Sequence, residues 1–221
     1  MSIRENLKQI RNEIASIQKK NGEVLIVAVT KTVDIDTAEA AITEGVTDVG
    51  ENRVQELLLK YESLNQKAAF HLIGHLQTNK VKYIIGKCKL IHSVDSLKLL
   101  QEIERQCAKQ NMPQDILIQV DIAMETTKFG ATLDEVHEMI AENEKNSFVK
   151  IKGLMTMAPL TENEEEIRKV FKKLYEVYID IKGKTFYNTC MELISMGMSN
   201  DYKIAIEEGA NIVRIGSKIF K

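Results

Sequence analysis

Short apolar runs alternate with amphipathic stretches along the whole chain, and this alternation constrains the fold more than any other feature. The clearest run is Val24 to Val29, unbroken and rich in β-branched residues. It reads as a strand buried on both faces, as a parallel sheet requires. Further strands are expected at Val46 to Val49, Phe70 to Ile73, Leu90 to Val94, Ile116 to Val120, Val149 to Met155, Leu193 to Met196 and Ile212 to Ile215, making eight. Between them lie helical patterns, such as Leu97, Leu100, Ile103 and Cys107, or Ile167, Val170, Phe171, Leu174 and Ile181. Strands alternating with helices imply right-handed βαβ units.

Eight such strands within 221 residues favour a closed (β/α)8 TIM-type barrel over an open, doubly wound sheet. One helix precedes the first strand: Ile3, Leu7, Ile10, Ile14 and Ile17 share a face, and Asn21-Gly22 is expected to stop it. Few residues follow the last strand, so this N-terminal helix is expected to cover the wall that a final helix would cover. Only two prolines occur and no Gly/Ser-rich linker interrupts the pattern, so residues 1–221 read as one domain.

Charge and composition exclude several classes. Net charge is −2 with acids and bases interspersed, so no basic face for nucleic acid or for a membrane surface is expected. No secretory or membrane-spanning segment is read. The three cysteines, Cys88, Cys107 and Cys190, form neither a metal-ligand spacing nor a disulfide framework and read as buried or half-buried small residues in a cytoplasmic protein. His71, His75, His92 and His137 show no metal-binding spacing; His71 and His92 read as hydrogen-bonded core histidines. No metal site is expected.

In such a barrel, ligands bind where the strands end. Lys31 directly follows the first apolar strand, where desolvation would favour the neutral amine as a nucleophile. From position alone, a lysine that simply reaches solvent is the simpler reading. Gly197-Met198-Ser199-Asn200 lies between a strand and a helix from about Asp201 to Glu208. Ser199 is expected to cap that helix. Arg214-Ile215-Gly216-Ser217 ends the next strand. Gly216 permits close backbone approach, and Ser217 adds a hydroxyl and an N–H; together the two segments suit a phosphate. Arg214, alternating with Val213 and Ile215, faces either the barrel mouth or the helix interface, and if buried it needs a partner, either a ligand or a carboxylate. Asn52 and Arg53 either contact a ligand or start a helix. The run Glu162 to Arg168 reads as a solvated helix start with Thr161 as its cap.

Several segments, in order, resemble the YggS/PROSC family of pyridoxal phosphate homeostasis proteins, related to the N-terminal barrel of alanine racemases. They are Val27-Ala28-Val29-Thr30-Lys31-Thr32, Gly50-Glu51-Asn52-Arg53-Val54-Gln55-Glu56, His71 through Lys80, His92-Ser93-Val94-Asp95-Ser96, Gly153-Leu154-Met155-Thr156-Met157, Ser195-Met196-Gly197-Met198-Ser199 and Val213-Arg214-Ile215-Gly216-Ser217. The resemblance implies that Lys31 carries pyridoxal 5'-phosphate as a Schiff base. It implies that Ser199, Gly216 and Ser217 hold the phosphate, with Met198 in the same loop, and that Arg214 faces the pyridine nitrogen. Asn52 and the Gly74-His75 loop would line the open side, and Lys128 would lie near the mouth.

An arginine at the ring nitrogen does not release its proton, which weakens the electron sink that carbanion chemistry needs. The resemblance therefore implies a non-catalytic cofactor protein that supplies apo-enzymes. The alternatives are a racemase, which needs bases on both faces of the substrate carbon, and an aldolase-like barrel using Lys31. Alanine racemases draw their second base from a further β domain and dimerisation, for which no room is expected after Phe220; a monomer is expected here. The sequence departs from the family pattern at Thr30, at Asp121 and at Phe129, and it ends at Lys221, short of the family's usual tail.

Overall fold

The computed structural model describes residues 2–123 and 129–221. Its strands close into a parallel barrel in sequence order: β1 (Leu25–Val29), β2 (Asp48–Glu51), β3 (Ala69–Leu72), β4 (Leu90–Val94), β5 (Gln114–Gln119), β6 (Val149–Met155), β7 (Thr189–Ser195) and β8 (Ile212–Ile215). Closure is made by β8 against β1, with Val27 opposite Arg214 and Ala28 opposite Ile215. The expected eight-stranded barrel is therefore the observed one.

Its helices are α1 (Ile3–Ser16), α2 (Ile35–Thr43), α3 (Val54–Leu64), α4 (Leu97–Gln110), α5 (Leu133–Asn143), α6 (Glu164–Lys182), α7 (Tyr202–Glu207) and α8 (Ser217–Phe220). A 3-10 helix, Thr78–Tyr83, stands between β3 and β4 in place of an α-helix.

Two apolar layers follow from the two-residue period of strands. Val27, Leu90, Leu117, Met155 and Ile212 fill the lumen. Side chains of the opposite parity, such as Ala28, Val49, Phe70, Ile91, Ile116 and Val213, join the larger core between sheet and helices.

The N-terminal helix is started by a reciprocal cap, Ser2 with Glu5. It buries Leu7, Ile10 and Ile14 and packs against α2, α7 and α8, as expected for a helix closing the wall beside β8. Buried Asn6 donates to the Ile219 carbonyl at 3.0 Å, fastening α8 to it.

Some details differ from the sequence expectation. α1 ends at Ser16, and Ile17 is already extended, well before Asn21-Gly22. Asn163, not Thr161, caps α6, accepting from the N–H groups of Glu165 and Glu166. Cys88 and Cys107 are buried but Cys190 is exposed, because it alternates outward between buried Thr189 and Met191. Among the described residues, no helix is long and apolar enough to cross a membrane.

Candidate functional site

The polar residues singled out in the sequence stand where the strands end, on one rim. Beyond β1, the Thr30 carbonyl accepts from Val33 N–H at 3.1 Å, closing a tight turn that carries Lys31. Lys31 is exposed, so the desolvation expected at the end of an apolar strand is not realised. The turn itself is fixed from below. Buried Lys60 on α3 donates to the Thr30 carbonyl at 2.5 Å and to Glu51 Oε1 at 2.7 Å, and Thr30 Oγ1 donates to the same Glu51 oxygen at 2.5 Å.

The β7 and β8 loops converge beside it. Ser199 does not cap α7, since Asp201 occupies that position. Asp201 Oδ1 instead accepts from Met198 N–H at 2.5 Å, while burial raises the Asp201 carboxyl above its ordinary range. The Ser199 oxygen lies where the Gly216 and Lys218 N–H groups meet, at 3.3 and 3.4 Å. Two backbone donors converging on one hydroxyl oxygen form a small anion-suited nest. A Cβ on Gly216 would come within 3.1 Å of the Val29 carbonyl oxygen, so glycine lets this nest lie close to the strand leading to Lys31. Ser217 and Met198 are exposed at its edge.

Arg214 lies under this rim and is 4% exposed. It faces the barrel interior, donating from Nη1 to Ser195 Oγ at 2.6 Å and from Nη2 to the Thr156 carbonyl at 3.0 Å. Among the described residues no carboxylate lies within ion-pair distance of it, so the simple carboxylate partner is not found. Burial lowers its pKa to about 10, with Asp201 opposing that shift at longer range.

On the other side of β1, the loops after β2 and β3 interlock. A Cβ on Gly74 would fall 2.4 Å from the Asn52 carbonyl oxygen, so only glycine allows this approach. Asn52 is half-buried there, while Arg53 is exposed and begins α3. His75 is exposed, bonded to Asp95 at 3.0 Å and stacked on Phe129 with ring centroids 4.0 Å apart. Lys128 lies outside the described residues.

Sequence reading overlooked the Glu51–Lys60 pair and Ser195. A signal for the first exists: Lys60 shares the helical face of Val54, Leu57 and Leu64, where a charge must be buried with a partner. Three surface cavities of 370, 440 and 290 Å3 lie elsewhere, beside α4, at the barrel base and under α1.

A closed parallel barrel with a lysine turn, an anion nest and a buried arginine at its strand ends is of the alanine racemase N-terminal type. The model of that domain, "Alanine racemase, N-terminal domain", matches residues 3–221. The pyridoxal phosphate homeostasis protein of Aquifex aeolicus is 43% identical over 196 residues, covering 88% of this chain and 85% of the relative. That of Haemophilus influenzae is 31% identical over 227 residues, covering 100% and 95%. The chain belongs to the pyridoxal phosphate homeostasis protein family.

Among solved structures, PipY of Synechococcus elongatus PCC7942 with PLP bound superposes with a TM-score of 0.88 at 27% identity, each chain fully covered. Alanine racemase of Clostridium difficile 630 shares the fold, with a TM-score of 0.74 at 16% identity over 97% of this chain and 55% of that one.

Proposed function

We propose that this protein holds pyridoxal 5'-phosphate as a Schiff base on Lys31 and serves the cofactor's homeostasis, not catalytic turnover. The observation that carries this reading is Arg214: a buried guanidinium with no carboxylate partner among the described residues, lying below an anion nest. A buried cation without a counter-charge is costly unless a ligand completes it. Pyridoxal 5'-phosphate would fit there: its phosphate would bring the negative charge to the Gly216 and Lys218 N–H groups, Ser199 and Ser217, and its neutral ring nitrogen would accept from Arg214.

When bound, the cofactor supplies an aldehyde that condenses with an amine and a ring that can withdraw electrons. Lys31, on a turn braced by Lys60 and Glu51, provides that amine. Arg214 offers only donors and keeps its proton, so a ring nitrogen facing it would stay unprotonated and the ring would be a weak electron sink. Asn52 and the Gly74-His75 loop would line the cofactor's open side, with Met198 in the loop that would hold the phosphate. Lys128 is assigned a secondary contact near the mouth. The reading extends to a cytoplasmic monomer that passes the cofactor to apo-enzymes.

Titration with the aldehyde cofactor tests it. Wild type develops an absorbance band near the visible edge, and Lys31→Ala does not; no band in wild type refutes the reading. Incubation of the loaded protein with single-enantiomer amino acids in deuterated water tests the non-catalytic part, which catalytic deuterium incorporation at the α-carbon would overturn.

A further inference from the structure

Beneath Arg214 the lumen holds a second polar system. Ser195 Oγ, which accepts from Arg214, meets His92 Nδ1 at 2.9 Å. His92 Nε2 meets His71 Nδ1 at 2.8 Å, and His71 Nε2 meets Asp48 Oδ1 at 2.9 Å. Asp48 also accepts from Thr47 Oγ1 at 2.6 Å and from Lys89 at 2.8 Å. Ser195, His92, His71 and Asp48 are all at most 3% exposed, whereas the Lys89 side chain is 57% exposed at the barrel base. Because β4 and β7 are not neighbours in the sheet, the His92–Ser195 bond crosses the lumen. Barrel interiors are ordinarily filled by branched apolar side chains. A continuous polar chain in that position needs a reason beyond filling space.

The carboxylate end decides the sense of the bonds when both imidazoles are neutral. An ionised carboxylate only accepts, so His71 carries its proton on Nε2 and donates it to Asp48. His71 Nδ1 then accepts from His92 Nε2, and His92 Nδ1 accepts the Ser195 O–H. Ser195 Oγ in turn accepts from Arg214, which only donates. One proton lies in each bond.

Burial acts in the same direction. It lowers the His71 pKa despite Asp48, and it lowers that of His92 much further, with repulsion from His71 and Arg214 adding. Burial opposes ionisation of Asp48, but its hydrogen bonds to His71, Lys89 and Thr47 outweigh it and hold the carboxyl well below its ordinary range.

We propose that Ser195, His92 and His71 form a one-way hydrogen-bond relay, anchored on Asp48, that positions Arg214 as a permanent donor toward the cofactor ring nitrogen. The identity of that acceptor rests on the cofactor reading above; the relay itself does not. Reversing the chain would require Asp48 to donate, which an ionised carboxylate cannot do. Rotating the guanidinium away would break its bonds to both Ser195 Oγ and the Thr156 carbonyl. The three relay residues are buried and act through Arg214, so they are positioning residues.

Two measurements test this. Long-range 1H–15N NMR on the protein without ligand reads the tautomers: His71 and His92 are both expected neutral with the proton on Nε2 near neutral pH. A charged ring, or a proton on Nδ1 of either, overturns the relay. Binding is then compared between pyridoxal 5'-phosphate and its analogue with C–H in place of the ring nitrogen. Wild type is expected to prefer the nitrogen-bearing ligand, and Ser195→Ala to lose about tenfold of that preference, the size of one charged hydrogen bond. Ser195→Thr, which keeps the hydroxyl, is expected to restore it. A general packing defect weakens both ligands alike, so an unchanged preference in Ser195→Ala refutes the positioning role. Wild type that binds neither ligand refutes the cofactor reading and the relay's ring-nitrogen end, while the tautomers still decide the hydrogen-bond chain.

Discussion

Removing one partner of the Glu51–Lys60 pair gives the sharpest test of how the lysine turn is held. The side chains are 3% exposed for Lys60 and fully buried for Glu51. Glu51 Oε1 takes both of its donors, Lys60 and Thr30, and Oε2 has no partner among the described residues. Lys60→Met keeps the length of the side chain, so little cavity forms, but it leaves a buried carboxylate with only the Thr30 hydroxyl. Breaking a buried pair in this way costs about 3–5 kcal/mol. At about 2–4 °C per kcal/mol for a chain of this size, the melting temperature is expected to fall by about 6–20 °C.

The double variant Lys60→Met with Glu51→Gln removes the stranded charge and is expected to recover much of that loss, a coupling on the order of 1–3 kcal/mol. Urea unfolding followed by circular dichroism, with calorimetry, measures both. A loss below about 1 kcal/mol for Lys60→Met would mean the pair behaves like a surface salt bridge, and the argument fails. It fails equally if the double variant is no more stable than the single one. The Thr30 carbonyl would keep Val33 but lose Lys60, so Lys60→Met is also expected to slow adduct formation on Lys31 in the absorbance assay.

Other expectations follow from the same geometry. Gly74→Ala forces a methyl against the Asn52 carbonyl and is expected to destabilise by about 1–3 kcal/mol, checked by urea unfolding. Asn6→Ala removes the buried bond to the Ile219 carbonyl and is expected to cost about 1–3 kcal/mol and to speed amide exchange in α8. His71 and His92 have lowered pKa values when folded, so the unfolded chain binds more protons as pH falls through about 6.5 and stability drops with it. Each contributes at most about 1.4 kcal/mol per pH unit, and equal urea midpoints at about pH 7.5 and about pH 5.5 would contradict two neutral buried rings.

The strands were legible to different degrees, for a consistent reason. Leu90–Val94, Val149–Met155 and Ile212–Ile215 coincide with the expected strands, since apolar residues bound each run even where His92, Lys150, Lys152 or Arg214 interrupts it. β2 lies at Asp48–Glu51 instead of Val46 to Val49: the expected range already held buried Asp48, but an apolar-run criterion stops short of buried Glu51. Each is buried with partners distant in sequence: Asp48 with His71 and Lys89, Glu51 with Thr30 and Lys60. The phosphate-suited loops were readable as strand-end Gly and Ser, but the role of Ser199 was not. Whether its oxygen meets its own helix or the N–H groups of Gly216 and Lys218 depends on where β8 ends beside it.

By itself, then, the sequence determined the barrel and the membership of the family. Both rest on local periodicity and on motifs in order, and apolar burial needs only the right residue on the right face. Tertiary structure alone decided that Lys31 is exposed on a turn braced from below, that Arg214 faces inward without a carboxylate partner among the described residues, and that two core histidines join it to Asp48. Hydrogen bonds are directional and pair specific atoms from strands far apart in the chain, so no period along the sequence records them.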